Sequence, residues 1–523
     1  MRPSKSDAAR LLTQATFGPT IASIDEVHAK GATQWLNEQL ALPLHNPSHW
    51  QYVYVDKGPK GDSRYVNSTM ESFWLQAVRG NDQLRQRMVF ALTEIFVVST
   101  VNSAVDIQED AHASYLDMLS RNAFGNFRTL IEEVSLHPTM GQYLSSFNNE
   151  KEVPGGRQPD ENYAREIMQL FTIGLWQLNN DGSRKLDPVT GKPISTYTQA
   201  DIKGMARVFT GWSWGATTAD AYNLLMQPVA ELHSTSEKAI LNGVLIPANT
   251  NARDSLRIAL DTLFNHPNVG PFIGSQLIKR FVTSNPTPGY VSRVAAAFNN
   301  NGSGVRGDMK AVIRAVLLDD EARNNNRITD PYFGKLREPI IRYANLMRAF
   351  DVKTYAPIVY RIWNLEDGAF SLGQNPLRAP SVFNWYQPTY APPGMVLSTN
   401  RTAPEFKITH ETTVTGYTNY IVNQVALQTE RSRTEMSVYL DQVHIDEYLA
   451  GNVSAELALA DQPDALIDRL NLLLMAGQIQ PWLRDIVKQA INNIPITDNR
   501  ARDDRVATAV SLIMASPQYL VQK

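Results

Sequence analysis

Cysteine is absent from this chain of 523 residues. Its absence excludes disulfide bonds, thiolate metal ligands and thiol nucleophiles, and it fits either a cytoplasmic protein or an exported one that avoids unwanted oxidation. An excess of basic residues is also missing, because the formal net charge at pH 7 is -3. A nucleic-acid-binding protein is therefore disfavoured.

Long apolar runs are missing as well. No stretch of about 18 apolar residues occurs, so the sequence predicts no membrane span. The first seven residues, MRPSKSD, lead straight into an amphipathic helix without the apolar core of a secretory signal. Either the protein is cytoplasmic, or a signal sequence was removed ahead of Met1.

Several catalytic motifs are absent too. The sequence has no Walker-type glycine loop and no HExxH, which disfavours the usual P-loop nucleotide enzymes and zinc enzymes. We predict no metal and no cofactor. A calcium ion in the turn over residues 177–187 stays open as an alternative to a plain turn, and a metal-dependent enzyme is a third, weaker alternative.

Apolar residues at helical spacing dominate what is present, and they predict a mainly α-helical fold: a large multi-helix body with long ordered loops. Asn180-Asp181-Gly182 between apolar flanks predicts a small β-hairpin near 175–197. We expect an N-terminal helical unit over 1–45, a central helical body with a polar cleft over 46–405, and a C-terminal helical region packed on that body over 406–523.

One segment combines this helical pattern with a concentration of polar side chains. It reads PDENYAREIMQLFTIG over residues 159–174, and Asp160 is expected to cap the helix. Glu161 and Arg165 lie four residues apart, so they can form an ion pair. Glu161 and Glu166 lie five apart and are not expected to face one cleft together.

These side chains predict a polar cleft with acid–base chemistry. The candidate catalytic residues are Glu161, Glu166, Arg165 and His233. The candidate substrate-binding residues are Asn162, Tyr163, Arg207, Trp212, Lys238, Arg337 and Trp385. A mechanism with two carboxyl groups would take its second acid from Asp201 or Glu338. The structural alternative is a buried ion-pair network that ties this helix to Arg207 or Arg337.

The cleft walls are predicted from two polar loops. His233 lies near Glu231 and Lys238, a setting that suits a general base, a metal ligand or a phosphate or sulfate contact. The loops around Trp212 and Trp385 could stack on sugar rings, whose axial C–H faces are apolar. The alternative is that these tryptophans hold long loops against the body.

Taken together, several segments resemble a bacterial family known as domain of unknown function 1800. The resemblance runs nearly end to end and is carried by ARLL and ATFGP (9–12, 15–19), HP, MG and YL (137–144), residues 161–174, YTQ, DI and ARVFTGW (197–212), LREP (336–339) and APSVFNW (379–385). Some relatives carry His-Asp where this chain has His233-Ser234, so a role that needs that acid is not carried over.

The resemblance implies an α-helical fold, export from a bacterial cell, and a signal sequence removed ahead of Met1, hence a periplasmic or secreted location. It also implies frequent genetic pairing with a family similar to sulfatases and alkaline phosphatases. We therefore expect an exported protein that binds or cleaves a cell-surface or extracellular polysaccharide, as a hydrolase or lyase if it is an enzyme. The alternative is a non-catalytic scaffold or assembly factor for an exported sulfatase- or phosphatase-like partner.

Overall fold

The computed structural model describes residues 2–58, 60–101, 108–216, 221–354, 360–427 and 449–523. This part of the chain contains 23 α-helices and only three small two-stranded antiparallel sheets. The predicted mainly α-helical fold is therefore confirmed. None of the described helices is both long and apolar enough to cross a lipid bilayer.

The N-terminal half is built from short helices, several of which begin at a residue whose side chain accepts a hydrogen bond from a first-turn N–H group. They are α1 (Lys5–Ala15), α2 (Ile21–Lys30), α3 (Ala32–Ala41), α4 (Ser68–Arg79), α5 (Gln83–Thr93), α6 (Glu109–Asn122), α7 (Phe127–Leu136), α8 (Pro138–Tyr143), α9 (Asn162–Glu166), α10 (Gln199–Val208) and α11 (Ala252–Phe264). The sequence Thr198-Gln199-Ala200-Asp201 predicts a capping box at the start of α10. Thr198 and Asp201 form it, with reciprocal hydrogen bonds of 3.3 and 2.7 Å.

The C-terminal half continues this construction. Its helices are α12 (Val269–Phe281), α13 (Pro288–Asn299), α14 (Met309–Leu318), α15 (Asp320–Arg323), α16 (Pro339–Ala349), α17 (Met395–Thr399), α18 (Glu411–Leu427), α19 (Ser454–Leu457), α20 (Pro463–Met475), α21 (Pro481–Asn492), α22 (Asn499–Ala515) and α23 (Pro517–Leu520). Helices α13, α16, α20, α21 and α23 each have proline in their first turn, where its missing N–H group costs no hydrogen bond.

Two helical predictions need adjustment. The sequence predicts one helical stretch over 67–105, but the structure divides it at Gly80-Asn81-Asp82 into α4 and α5 and ends α5 at Thr93, because turn-forming residues compete with the helix. Residues 102–105 of that stretch lie outside the described residues. So do residues 428 and 429 of the helix predicted over 410–429.

The β structure is limited to short pairs. The strands are β1 (Trp212–Ser213) with β2 (Gln227–Pro228), β3 (Lys238–Ala239) with β4 (Leu245–Ile246), and β5 (Lys335–Leu336) with β6 (Val521–Gln522). The hairpin predicted near 175–197 is present as antiparallel bridges that join Trp176 to Ser195, Leu178 to Arg184 and Leu186 to Pro193.

Two large apolar cores organise the body. The first joins α1–α3 to α5–α14, and the second joins α4, α16, α18 and α20–α22. The long Gly- and Pro-rich loop predicted from Leu365 to Pro404 is present and contains only the short helix α17 in this range. Two of its side chains, those of Asn384 and Tyr386, form hydrogen bonds with Glu94, the residue that follows α5.

Candidate functional site

Helix α9 holds the polar segment singled out from the sequence. It begins at Asn162, one residue later than predicted, with Glu161 at the N-cap position. The Asp160 carboxylate still accepts a first-turn hydrogen bond, from the backbone N–H of Asn162 at 2.7 Å. The helix continues without interruption into a π-helix over Ile167–Thr172, which ends before Gly174 at a φ of 72°.

The outer side of α9 carries an exposed polar group. A guanidinium nitrogen of Arg165 lies 3.1 Å from a carboxylate oxygen of Glu161, and that oxygen also accepts a 2.8 Å hydrogen bond from Gln199. Asn162 is exposed beside this pair. We call Glu161, Asn162, Arg165 and Gln199 the α9 rim. Its side chains are partly solvated, so they are free to exchange hydrogen bonds with a ligand.

Glu166 lies behind the rim and differs sharply from it. Its side chain is buried, with only 6% of the residue exposed, and its Oε2 atom has no hydrogen-bond partner. Burial raises the pKa of this carboxyl group, and the positive charge of Arg165 only partly opposes that effect. Glu166 is thus a buried acid with a free oxygen, next to an exposed polar surface.

Tyr163 takes no part in the rim. It is sealed in the core, where its hydroxyl donates a 2.8 Å hydrogen bond to Ser135 and its ring meets Phe209 edge-on at 4.8 Å. The structure therefore corrects its predicted role in substrate binding. Tyr163 attaches α9 to α7 and to the end of α10, which fixes the direction of the neighbouring polar side chains.

A second polar cluster lies at the far end of α10. Glu152 accepts a 2.9 Å hydrogen bond from Ser234 and lies 3.5 Å from the Arg207 guanidinium. Lys238 is fully buried close by, and its ammonium donates to the Ser236 carbonyl at 3.3 Å. Burial lowers the pKa of Lys238 to about 8, and Glu152 opposes this shift. Glu152 was not among the residues predicted from sequence.

His233 belongs to this second cluster and is also buried. Its Nδ1 atom lies 2.8 Å from the Thr210 carbonyl oxygen, so Nδ1 carries the proton and donates. Its Nε2 atom lies 3.4 Å from the Ser255 hydroxyl. Burial lowers the pKa of His233, which keeps the imidazole neutral near pH 7. A neutral imidazole can accept a proton, but here its accepting nitrogen faces Ser255.

The two clusters are separated along α10. Gln199 contacts Glu161 at the first residue of the helix, and Arg207 contacts Glu152 near its last. Eight residues of helix correspond to about 12 Å. The single cleft predicted from sequence is therefore two neighbouring polar clusters, and Glu166 belongs to the first of them.

Two of the predicted wall residues are packed inside the protein. Trp212 is buried, and its indole N–H donates to the Val208 carbonyl at 3.4 Å, so it closes α10 instead of facing a ligand. Arg337 is buried in the second core, where it donates to the Leu474 carbonyl and lies 4.6 Å from the Tyr519 ring centre. Neither residue is placed to bind a substrate in this structure.

Trp385 lies in the long loop, next to a buried group of charged side chains. That these charged residues come together was not predicted from the sequence. This loop residue lines a cavity of about 20 Å³ together with Glu94, Gln374 and Asn384, enough for about one water molecule. Glu94 on the end of α5 donates a hydrogen bond to Glu338 at the start of α16. The two carboxyl groups therefore share a proton in the interior.

The surroundings shift the pKa values of these two carboxyl groups in opposite directions. Burial and the charge of Glu338 raise the pKa of Glu94 to about 8. Burial would also raise the pKa of Glu338, but Lys335 and the hydrogen bond from Glu94 together lower it. Glu94 is therefore the protonated partner at neutral pH, and Glu338 is the ionised one.

Further charges complete this centre. A guanidinium nitrogen of Arg280 lies 3.4 Å from Glu94, and Lys335 lies 3.8 Å from Glu338 and 2.9 Å from Glu405. Asn384 and Tyr386 of the long loop donate to Glu94 at 3.1 and 3.0 Å, and Gln374 donates to Glu338 at 2.8 Å. We call the set Glu94, Arg280, Lys335, Glu338 and Glu405 the buried network.

The chain was compared with known proteins. The model of a family described as "Protein of unknown function (DUF1800)" matches residues 10–521. The chain belongs to this family. No significant match was found among curated proteins or among solved structures.

The DUF1800 match spans both polar clusters and the buried network. The sequence contained a signal for the network that was overlooked: Glu94 interrupts the apolar run FALTEIFVV, and Lys279-Arg280 interrupt QLIKRFV. A lone charge in an apolar run needs a buried partner. No group of three or more potential metal-ligating His, Cys, Asp or Glu side chains occurs among the residues that the structure describes.

Proposed function

We propose that this DUF1800 protein is exported and that it binds or cleaves a cell-surface or extracellular polysaccharide through the α9 rim and Glu166. The observation that carries the proposal is the Glu166 carboxyl group, which is buried, has an oxygen without a hydrogen-bond partner, and lies behind exposed polar side chains. An acid in this setting costs stability, so it calls for a purpose beyond packing.

The rim supplies the groups that a sugar needs. Carboxylate, amide and guanidinium side chains on Glu161, Asn162, Arg165 and Gln199 offer both donors and acceptors to hydroxyl groups. The raised pKa of Glu166 favours its acid form, which is able to protonate the leaving oxygen of a glycosidic bond while that C–O bond breaks. In a hydrolase water adds to the anomeric carbon in place of the leaving sugar, and in a lyase a ring proton is lost to a base as a carbon–carbon double bond forms. In a protein that only binds, the same proton would be donated to a sugar oxygen.

The test is a panel of bacterial and plant polysaccharides, assayed for binding and for release of reducing or unsaturated ends. We expect the wild-type protein to act on at least one class, and Glu166→Gln to lose cleavage by about a hundredfold or more. Both reactions release reducing ends, so reducing ends without unsaturated ends indicate a hydrolase, and unsaturated ends indicate a lyase. If only binding is seen, Glu166→Gln should weaken it.

The matched control is Glu411→Gln, which makes the same chemical change at the exposed first residue of α18. This variant should behave as the wild type does. Unchanged binding and cleavage in Glu166→Gln, or no interaction of the wild-type protein with any polysaccharide, would contradict the proposal.

The buried network favours a second candidate, a non-catalytic scaffold for an exported sulfatase- or phosphatase-like partner. Its charges join α5, α12, α16 and the long loop, which are distant in sequence, and nearly every member has a partner inside the protein. Such a centre fixes one arrangement of the chain without needing a substrate.

The two candidates differ in a measurable way. The protein and an exported sulfatase-like protein encoded beside it should form a stable complex in size-exclusion chromatography if the scaffold function holds. Glu166→Gln should leave that complex intact. Absence of a complex at micromolar concentrations would remove the scaffold candidate.

A further inference from the structure

A cleft far from α9 lies where the first three helices meet α15. Its volume is about 590 Å³, which is within the range of small-molecule sites. It is lined mainly by residues of α1, α2 and α3, and Arg323 at the end of α15 completes it. None of the groups discussed above contributes to it.

Two arginines line this cleft with little negative charge to balance them. Arg10 is buried, with 1% of its side chain exposed, and its Nε atom has no hydrogen-bond partner. The same holds for the Nε atom of Arg323, which has no carboxylate within 4.0 Å among the described residues. Burial and, to a smaller extent, the nearby charge of Arg10 lower the pKa of Arg323 to about 9.

The single neighbouring carboxylate is already occupied. Asp7 accepts hydrogen bonds from the backbone and hydroxyl of Ser4 at 3.2 and 2.7 Å, and its other oxygen lies 3.9 Å from Arg10. Lys30, which also lines the cleft, is neutralised by Glu26 and Glu38 at 2.8 and 2.6 Å. Among the residues that line the cleft, Asp7 balances one of the two arginine charges, so the charge of one arginine is left without an acid partner.

The start of α3 adds to this positive potential. Its N-cap is Gly31, which has no side chain to accept a first-turn N–H group and faces open space. Ala32, Thr33 and Gln34 of the first turn line the cleft. Free N–H groups and the helix dipole attract an anion at this position.

We propose that this cleft binds a small hydroxylated molecule that carries one oxyanion group, such as a carboxylated, phosphorylated or sulfated sugar. The oxyanion would lie between Arg10, Arg323 and the start of α3, where the Nε–H groups of the two arginines, which have no hydrogen-bond partner in the protein, can donate to it. The exposed side chains of Thr33, Gln34 and Asn37 offer hydrogen bonds to hydroxyl groups. The site is independent of the α9 rim.

The test is isothermal titration calorimetry with glucose 6-phosphate, glucuronate, inorganic phosphate and uncharged glucose. We expect saturable binding of at least one sugar anion, at least about tenfold weaker binding of glucose, and weakening by salt. Binding of inorganic phosphate as tight as that of the sugar anions would contradict the sugar part of the proposal. Absence of saturable binding by every anion up to millimolar concentrations would contradict it entirely.

Paired substitutions locate the site. Thr33→Glu places a carboxylate in the first turn of α3, where it favours the helix dipole and competes with the ligand. We expect it to weaken binding by about tenfold or more, whereas the neutral Thr33→Gln changes binding by less than about threefold. Equal behaviour of these two variants would overturn the assignment.

Arginine variants give an independent reading. Arg323→Gln should weaken binding by about tenfold or more, because it removes a charged donor. Arg484→Gln is the matched control. That arginine is paired with Asp464 and Asp468, and none of these three residues lines the cleft. Circular dichroism checks the folding of each variant, and Thr33→Glu keeps the test decisive if Arg323→Gln does not fold.

Discussion

Glu166 and Glu94 are both buried acids with a raised pKa, but their surroundings differ. Glu166 has one free oxygen and no acid partner, and its neighbouring charge, Arg165, is engaged by Glu161. Glu94 shares a proton with Glu338 and accepts hydrogen bonds from the long loop. An isolated buried acid lowers stability, whereas an acid within a satisfied network specifies structure. We therefore assign Glu166 to the proposed function and Glu94 to the stabilisation of the fold.

The largest expected effect is on the buried network. Lys335→Met removes the cation between Glu338 and Glu405 and leaves two buried carboxylates without it. We expect the free energy of unfolding to fall by about 3–5 kcal/mol, as for other broken buried ion pairs. Urea denaturation measures this. Lys488→Met, which removes an exposed pair with Asp464, should lower the free energy of unfolding far less, because solvent screens that pair, and similar losses in both variants would contradict the structural role.

The next effect concerns pH. The pKa of Glu94 is about 8 in the folded protein and lies near its usual value of about 4.3 in the unfolded chain. The folded state therefore binds more protons between these values, so Glu94 makes stability fall as pH rises from about 4.5 to 8, by at most about 1.4 kcal/mol per pH unit.

This contribution is best measured as a difference. Buried histidines act in the opposite direction: the pKa of His49 is lowered to about 4 and that of His137 to about 3, mainly by burial, so their contribution is lost as pH falls. We expect Glu94→Gln to remove the contribution of the Glu94–Glu338 pair that depends on Glu94 and to leave the contribution of the histidines unchanged. The stability difference between the wild type and this variant should shift in favour of the wild type on acidification from pH 8 to 5; a difference independent of pH would be inconsistent with the raised pKa.

Replacing Glu166 should change the free energy of unfolding less than Lys335→Met does, and in the opposite direction. Glu166→Leu removes an acid that lacks a partner, so the free energy of unfolding at pH 7 should rise by about 0.5–2 kcal/mol while the proposed activity is lost. Thermal unfolding checks the first part and the polysaccharide assay the second. A clear loss of stability would show that Glu166 belongs with the structural acids.

The smallest effect is expected on the α9 rim. Arg165→Gln breaks a partly exposed ion pair with Glu161, which should change stability by less than about 1 kcal/mol. Because the charge of Arg165 lowers the pKa of Glu166, the variant should raise that pKa further. The acid form of Glu166 would then persist to higher pH, and the pH profile of binding or cleavage should shift upward.

Local patterns allowed much of the fold to be predicted. Helical spacing, the capping box at Thr198 and the turn at Asn180-Asp181-Gly182 each depend on residues close in sequence, and the structure contains all three features. The ion pair between Glu161 and Arg165 could also be predicted, since both lie on one helix face.

The candidate site was harder to predict because it depends on contacts between distant residues. Sequence spacing does not show that Arg337 and Trp212 are buried, or that Glu94 and Glu338, 244 positions apart, share a proton. Polar residue type alone does not separate a ligand-binding side chain from a packed one. A lone charge within an apolar run was the one local signal for the buried network.

The π-helix that follows α9 has a consequence for how this protein can vary. A π-turn contains one more residue than an α-turn, and here the N–H group of Ile173 bonds to the Met168 carbonyl, five residues earlier, at 3.1 Å. Loss of one residue between Ile167 and Thr172 would restore ordinary winding and rotate Glu166 by about 100° relative to Phe171. The Glu166 side chain would then leave its buried position, although every polar residue of α9 would still be in the sequence. The rotational position of each residue around this helix, as much as the residue types, determines which polar side chains reach the surface.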